Sequence, residues 1–475
     1  MQAEHTISVE EAVQVLAIVG DLSMGQPTDQ SARTARLAGR LAQEAGATAD
    51  MLAQARLVAM LRWTGCTANA AGFATLLGDD VQGRHAMLAQ LLSPDHPLDF
   101  ASVAPLARVH CEVSGDLAAM LGLPEEVQSG LRHIFEHFDG NGTPMRLRGS
   151  QVPELVYLVN LASDLDILAR VRGVAEALDI IERLADRKYP ARLVRMLAPQ
   201  ARAWLEELEH PGHVPAPAPA GAQVPLRIVA DVTELKLPWL AGYSRRVAEL
   251  AERSAALAGM TADQQACVGR AALLHGAGRA AIPNTVWERE GALSRSDWER
   301  VRLVPYWTER IATHVAGLRA EIALASHVYE RADGSGYFRS LGAAALGTGH
   351  QLLGAAAAWV ALCMARPWRP AYTPEQAARV LQEEVEAGKF DAQAVAAVLA
   401  ASGIGAAPRK PNTLLTERET EVLQRISLGE SNKEAARVLQ ISPSTVRTHI
   451  ESVFRKLGCS TRAAATLKAL NLGLI

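Results

Sequence analysis

Leu415-Thr-Glu-Arg-Glu-Thr-Glu-Val-Leu423, Ser431-Asn-Lys-Glu-Ala-Ala436 and Ser442-Pro-Ser-Thr-Val-Arg-Thr-His-Ile450 follow one another in the last sixty-odd residues. Each stretch opens with a helix-start signal. Thr416 with Glu419, and Ser431 with Glu434, are capping boxes, in which hydroxyl and carboxylate satisfy each other's free backbone N–H groups. Ser442 is a good N-cap, and Pro443 stands at the first helical position, where its missing N–H costs nothing. Helices are therefore expected from about 416, 431 and 442. The short turn at Gln440 and Ile441 joins the last two as a helix-turn-helix.

The helix from 442 has two faces. Val446, Ile450, Val453 and Leu457 recur at helical spacing and should pack inward. Ser444, Arg447, Thr448, Glu451 and Arg455 fall opposite, beside Thr445. Short polar and basic groups on one face suit a DNA major groove, where Arg reads guanine and Thr touches a thymine methyl. Lys433, at the start of the preceding helix, is placed to reach a phosphate. Glu451 is ambiguous there, since a carboxylate can accept from cytosine yet repels phosphate.

This segment resembles the C-terminal domain of LuxR-type (FixJ/NarL) bacterial regulators along its whole length. Thr416, Glu419, Val422, Leu423, Gly429, Ser431, Asn432, Lys433, Glu434, Thr445, Val446, His449, Lys456, Leu457 and Gly458 stand where that family places them. The resemblance implies a four-helix DNA-binding domain over 413–475, a recognition helix near 442–457, and dimeric binding to a two-part site.

A chain of 475 residues suggests about three domains. Nearly half the residues are apolar and aromatics are few, in an Ala- and Leu-rich texture that favours an all-α protein. With a net charge of −3, DNA affinity must come from a local patch. Cys66, Cys111, Cys267, Cys363 and Cys459 are scattered and odd in number, reading as reduced thiols of a cytoplasmic protein. No signal peptide is suggested by the N-terminus, and no apolar run reaches the ~18 residues of a membrane span. No cofactor motif appears.

Pro- and Gly-rich residues 210–225 and 402–413 read as spacers, dividing the chain into 1–209, 226–401 and 413–475. The first two segments repeat one plan. His133-Ile-Phe-Glu-His-Phe-Asp-Gly-Asn-Gly142 and His327-Val-Tyr-Glu-Arg-Ala-Asp-Gly-Ser-Gly336 share H-x-x-E-x-x-D-G-x-G. Ser31-Ala-Arg-Thr-Ala-Arg-Leu-Ala38 mirrors Ser244-Arg-Arg-Val-Ala-Glu-Leu-Ala251, and Val58-Ala-Met-Leu61 mirrors Ala271-Ala-Leu-Leu274.

The second copy resembles an HD-GYP phosphohydrolase domain, a helical fold that hydrolyses cyclic di-GMP with a metal cluster. The resemblance lies in Ala271-Ala-Leu-Leu-His-Gly-Ala-Gly-Arg-Ala-Ala-Ile-Pro283, Asp333-Gly-Ser-Gly-Tyr337 and Arg366-Pro-Trp-Arg-Pro-Ala371. The first copy is a more distant relative. Metal-assisted hydrolysis needs imidazoles and carboxylates to hold the ions and an activated water. At the positions the resemblance assigns to that task, the second copy has Tyr243, His275-Gly276, Arg279, Val304, Val328-Tyr329 and Ala357. The first has Gln30, Arg62-Trp63, His110, Ile134-Phe135 and Ser163. Asp164 lies one residue off the last place, turned about 100° aside on a helix. One histidine per copy cannot build a dinuclear site, so no metal and no enzymatic activity are expected.

Asp139 and Asp333 read as turn residues before glycine, and His133, His327 and His275 as structural histidines. His275, Arg279, Asp333, Arg339, Arg366 and Arg369 nonetheless outline a possible ligand pocket, since arginines can grip phosphate without hydrolysing it. The expected function is a DNA-binding transcriptional regulator, homodimeric, with catalytically inactive helical modules that sense a small molecule or nucleotide. A metal-dependent phosphohydrolase that also binds DNA, and a protein-interaction hub, are the alternatives.

Overall fold

In the computed structural model, residues 5–93, 98–210, 221–403 and 414–475 are described. The central parts of both expected spacers, 211–220 and 404–413, lie outside them, as do residues 1–4 and 94–97. The fold is helical. Two three-residue strands, Thr6–Ser8 and Gln223–Pro225, form the sheet found among the described residues. No described helix is long and apolar enough to cross a membrane. The chain divides into two compact units, residues 7–224 and residues 1–6 with 225–475.

The two copies repeat helix for helix. Helices Gln30–Glu44 and Ala49–Leu61 of the first unit match Tyr243–Leu257 and Ala262–Leu274 of the second in length and in the break between them. The second helix of each pair starts on a threonine N-cap, Thr48 or Thr261, which accepts from the backbone three residues on. In both units this antiparallel pair forms the largest helix–helix contact, and Glu154–Arg172 or Thr348–Cys363 packs beside it. The small residues of these segments explain the close approach. Ala35, Ala38 and Ala42 are buried in one copy, and Ala248, Ala251 and Ala255 in the other.

A shared polar device explains the H-x-x-E-x-x-D-G-x-G repeat. Buried Glu136 accepts from the backbone N–H of Met145 (2.7 Å) and Leu147 (2.9 Å). Buried Glu330 accepts from Arg339 and Leu341, both at 2.8 Å. The carboxylate thus holds the loop that follows it at the same two offsets in each copy. The last glycine lets that loop close, because a Cβ on Gly142 or Gly336 would lie 2.3 or 2.4 Å from backbone atoms. Asp139 and Asp333 sit in the loop and turn their carboxylates onto the backbone N–H of Asn141 and Ser335, each at 2.9 Å.

The C-terminal segment of the second unit has helices Glu417–Ser427, Asn432–Leu439, Pro443–Leu457 and Arg462–Asn471. Their N-caps are Thr416, Ser431, Ser442 and Thr461, and both capping boxes form. Gln440 adopts the left-handed conformation (φ 53°) to make the tight turn before the third helix. Val446, Ile450, Val453 and Leu457 are buried against Val422, Leu423 and Ile426, each contributing about 1.5–3 kcal/mol. Glu419 adds a polar tie across this core, accepting from Ser452 Oγ (2.7 Å) and Lys456 Nζ (2.6 Å).

Removing the loop-holding carboxylate should unfold its copy more easily. Glu330→Ala leaves two backbone donors without their partner, and chemical denaturation should register a loss of about 2–4 kcal/mol. Glu136→Ala should cost a similar amount.

Candidate functional site

On the C-terminal segment, Lys433, Ser444, Thr445, Arg447, Thr448, Glu451 and Arg455 are all exposed. All but Lys433 lie on helix Pro443–Leu457, opposite its buried stripe. Lys433 starts the preceding helix, next to its cap Ser431. Arg447 and Glu451 form an ion pair one turn apart (Nε–Oε1 2.9 Å), with side chains 76% and 60% exposed. The acid on this face therefore has a local partner, at the four-residue spacing of a helical ion pair.

In the second copy, the positions assigned to metal chemistry converge around a guanidinium. Arg279 Nη2 donates to His275 Nε2 (3.2 Å) and to the Tyr329 hydroxyl (2.8 Å), and its plane lies 5.0 Å over the Tyr243 ring. The Tyr243 hydroxyl reaches across to the carbonyl of Ala357 at 3.0 Å. His275 Nδ1 donates to the Ala272 carbonyl at 2.6 Å. Its other nitrogen, whose lone pair a metal would need, accepts from Arg279. Burial and the adjacent Arg279 charge push the His275 pKa down to about 3, so the ring is neutral.

Gly276 is part of this arrangement. A Cβ there would fall 2.7 Å from Arg279 Nη1, the far end of a flexible side chain, so an aspartate at 276 would lie against this guanidinium. Arg279 Nη1 is buried and has no hydrogen-bond partner. Arg366 approaches the same cluster, its guanidinium 4.9 Å over Trp239 and 5.5 Å over Tyr243.

The other three residues of the expected pocket face elsewhere. Asp333 is exposed and bonds within its own loop, to Ser335. Arg339 pairs with Glu309 and lies over Phe338. Arg369 spends its donors on the carbonyls of Ala361, Leu362, Met364 and Pro370, bracing the loop after helix Thr348–Cys363. A run of basic residues in a loop signals charge but not direction, and here backbone carbonyls lie nearer than the pocket.

In the first copy, Arg62 is buried, with Nη1 donating to Ser31 Oγ (3.2 Å) and to the Ala59 carbonyl (2.5 Å). His110 Nε2 donates to the Arg62 carbonyl at 2.8 Å, and its Nδ1 faces Cys66 Sγ at 3.4 Å. Burial, reinforced by Arg84, lowers His110 to about 3. Asp164, one residue round the helix from Ser163, borders the same cavity, and Lys188 Nζ grips its carboxylate at 2.7 and 2.9 Å. Among the described residues, no three His, Cys, Asp or Glu side chains gather as a metal site would require.

Arg245, two residues beyond Tyr243, was not singled out by any motif. Its Nε donates to the buried Asp231 at 2.7 Å, and its Nη1 donates to the Leu470 carbonyl at 2.7 Å, at the end of the last helix. The helix that begins at the Arg279 cluster is thus tied directly to the C-terminal helical segment.

Residues 227–394 match the HD domain family, and residues 413–469 match the bacterial regulatory proteins of the luxR family. The chain is 22% identical over 426 residues to the 3'3'-cGAMP-specific phosphodiesterase 3 of Vibrio cholerae, covering 81% of this chain and 92% of that one. A 70-residue stretch is 46% identical to the probable transcriptional regulatory protein NarL of Mycobacterium tuberculosis, covering 15% of this chain and 32% of that protein. Among solved structures, a cyclic GMP-AMP specific phosphodiesterase of V. cholerae superposes with a TM-score of 0.61 at 20% identity, covering 84% of this chain and 99% of its own. That likeness is one of fold, and it extends well beyond the segment matched by the HD family.

Glu234 caps the cluster's first helix from below, accepting from the N–H groups of Ser244 (2.6 Å) and Tyr243 (3.1 Å). Burial raises its pKa from the ordinary 4.5 to about 7, with Asp231 reinforcing the rise and Arg279 and the hydrogen bonds to Ser244 opposing it. A carboxyl that binds its proton more tightly when folded stabilises fully below pH 4.5. That contribution is lost as pH climbs through 7. Stability should therefore fall between pH 5 and 8. Glu234→Gln, which cannot titrate, should flatten the slope of melting temperature against pH even if it lowers every value.

Proposed function

We propose that this chain, which carries an HD domain and a LuxR-type DNA-binding domain, is a transcriptional regulator whose helical modules sense and dimerise without hydrolysing anything. The observation that carries the reading is helix Pro443–Leu457: its apolar stripe is buried in the domain core while Ser444, Arg447, Thr448 and Arg455 stand exposed. Such a helix can enter a major groove without unfolding its domain, with Lys433 on the flanking phosphate. The partner is double-stranded DNA, bound by a homodimer in the cytoplasm.

The inactive reading of the HD module rests on Arg279. Its guanidinium holds the lone pair of His275 and lies beside Gly276, where the resemblance would place the bridging carboxylate. A fixed cation there opposes the approach of a divalent metal. It favours instead an anionic group of a nucleotide effector, with Arg366 as the neighbouring second cation. The tie from Arg245 to Leu470 gives such an effector a short route to the DNA-binding segment. The second reading, a phosphodiesterase, is favoured by the likeness to the V. cholerae enzyme over most of the chain.

Two measurements separate these readings. Genome-wide occupancy of the tagged protein should give discrete peaks with a two-part motif, lost in Arg447→Ala. In vitro that substitution should weaken specific binding by about 1–3 kcal/mol if Arg447 reads a base. Equal loss on every sequence would assign Arg447 to phosphate, and no loss would remove this docking. Metal analysis of the purified protein, with a hydrolysis assay on cyclic dinucleotides, should find neither bound transition metal nor turnover. Turnover would reinstate the enzyme.

A further inference from the structure

The first copy contains a cavity of about 370 Å³ lying where its metal centre would be. Five of the positions assigned to metal chemistry line it, namely Trp63, His110, Ile134, Phe135 and Ser163. Three of these are now apolar or aromatic. Phe135 is stacked 6.4 Å from Trp63 and lies tilted 4.6 Å from the His110 ring. The volume falls within the range of small-molecule sites, roughly 300–1,000 Å³.

The charged groups around the cavity are already engaged. Lys188 is bound by Asp164. Arg84 donates to the carbonyls of Ser23 and Cys66 and to Asn69 Oδ1, and its face lies over Phe73 at 4.5 Å. His110 and His137 are held neutral, lowered to about 3 and about 4 chiefly by burial. An anion would find no free cation here, nor a cation a free carboxylate.

We infer that the first copy is a binding site for a compact, uncharged aromatic molecule of two or three fused rings. This deepens the sensory reading given above by naming a ligand class. Its test needs no DNA readout, so the two ideas fail separately.

The probe is 1-aminoanthracene, a neutral three-ring fluorophore, titrated into the full chain and followed by its emission. Saturable one-to-one binding is expected. Ala107→Phe and Val103→Trp, which add bulk to two lining positions, should each weaken it at least tenfold while thermal melts show them folded. The ketone 2-acetylnaphthalene should displace the probe, and 3'3'-cGAMP should not. In the wild type, the methyl resonances of lining residues Met24 and Met87 should shift on probe addition, a readout that does not depend on either variant folding. Absence of binding, unmoved methyls, or full affinity in both folded variants would overturn the site. Displacement by the cyclic dinucleotide would overturn the uncharged ligand class.

Discussion

A guanidinium buried at the centre of each helical copy is the constraint to which the surrounding residues answer. Removing a cation from water is expensive unless its hydrogen bonds are met and its charge is balanced. Around Arg279 a neutral histidine, a tyrosine hydroxyl and the face of Tyr243 meet part of that need, and Nη1 stays unpartnered. Around Arg62, Ser31, a backbone carbonyl and the Trp63 face meet part of it, with Ser31 donating to Asp21 at 2.6 Å and Nε and Nη2 unpartnered. The two arginines stand at different sequence positions relative to the shared plan, so the same physical answer was reached twice from different residues.

The frame around these centres is common to both copies, and only the filling differs. The glutamate that holds the H-x-x-E loop, the asparagine- or serine-backed Asp turn and the close-packed glycine recur with the same spacing. Within that frame, the second copy closes over a polar cluster through the Tyr243–Ala357 bond. In the first copy, the stacked Trp63 and Phe135 line a chamber. One scaffold thus presents a charged face in one copy and an apolar one in the other.

How far the sequence foretold this depends on whether the deciding interaction is local. The helix starts at Thr416, Ser431 and Ser442 were legible because a cap and its partner lie three residues apart. The repeat was legible because it is a pattern along the chain. The role of its glutamate was not, since Glu330 acts on residues nine and eleven positions ahead through a folded loop. Arg366 and Arg369 look alike in sequence, yet one covers Trp239 and the other braces carbonyls. The partner of Asp164 was not legible either, since Lys188 lies twenty-four residues further on. The cavity itself was invisible: apolar residues along the chain give no sign of the volume that packing leaves between them.

The pairing of Arg447 with Glu451 also bears on how quickly a target is found. Non-specific attraction to DNA grows with the number of phosphates a protein neutralises. By answering one arginine with one carboxylate, the exposed helix face keeps its net charge low, in a chain whose total is already negative. Such a face holds wrong sequences only briefly. Where a guanine can replace the carboxylate as Arg447's partner, release slows. Search then proceeds by many short visits, and residence time, more than attraction, marks the right site.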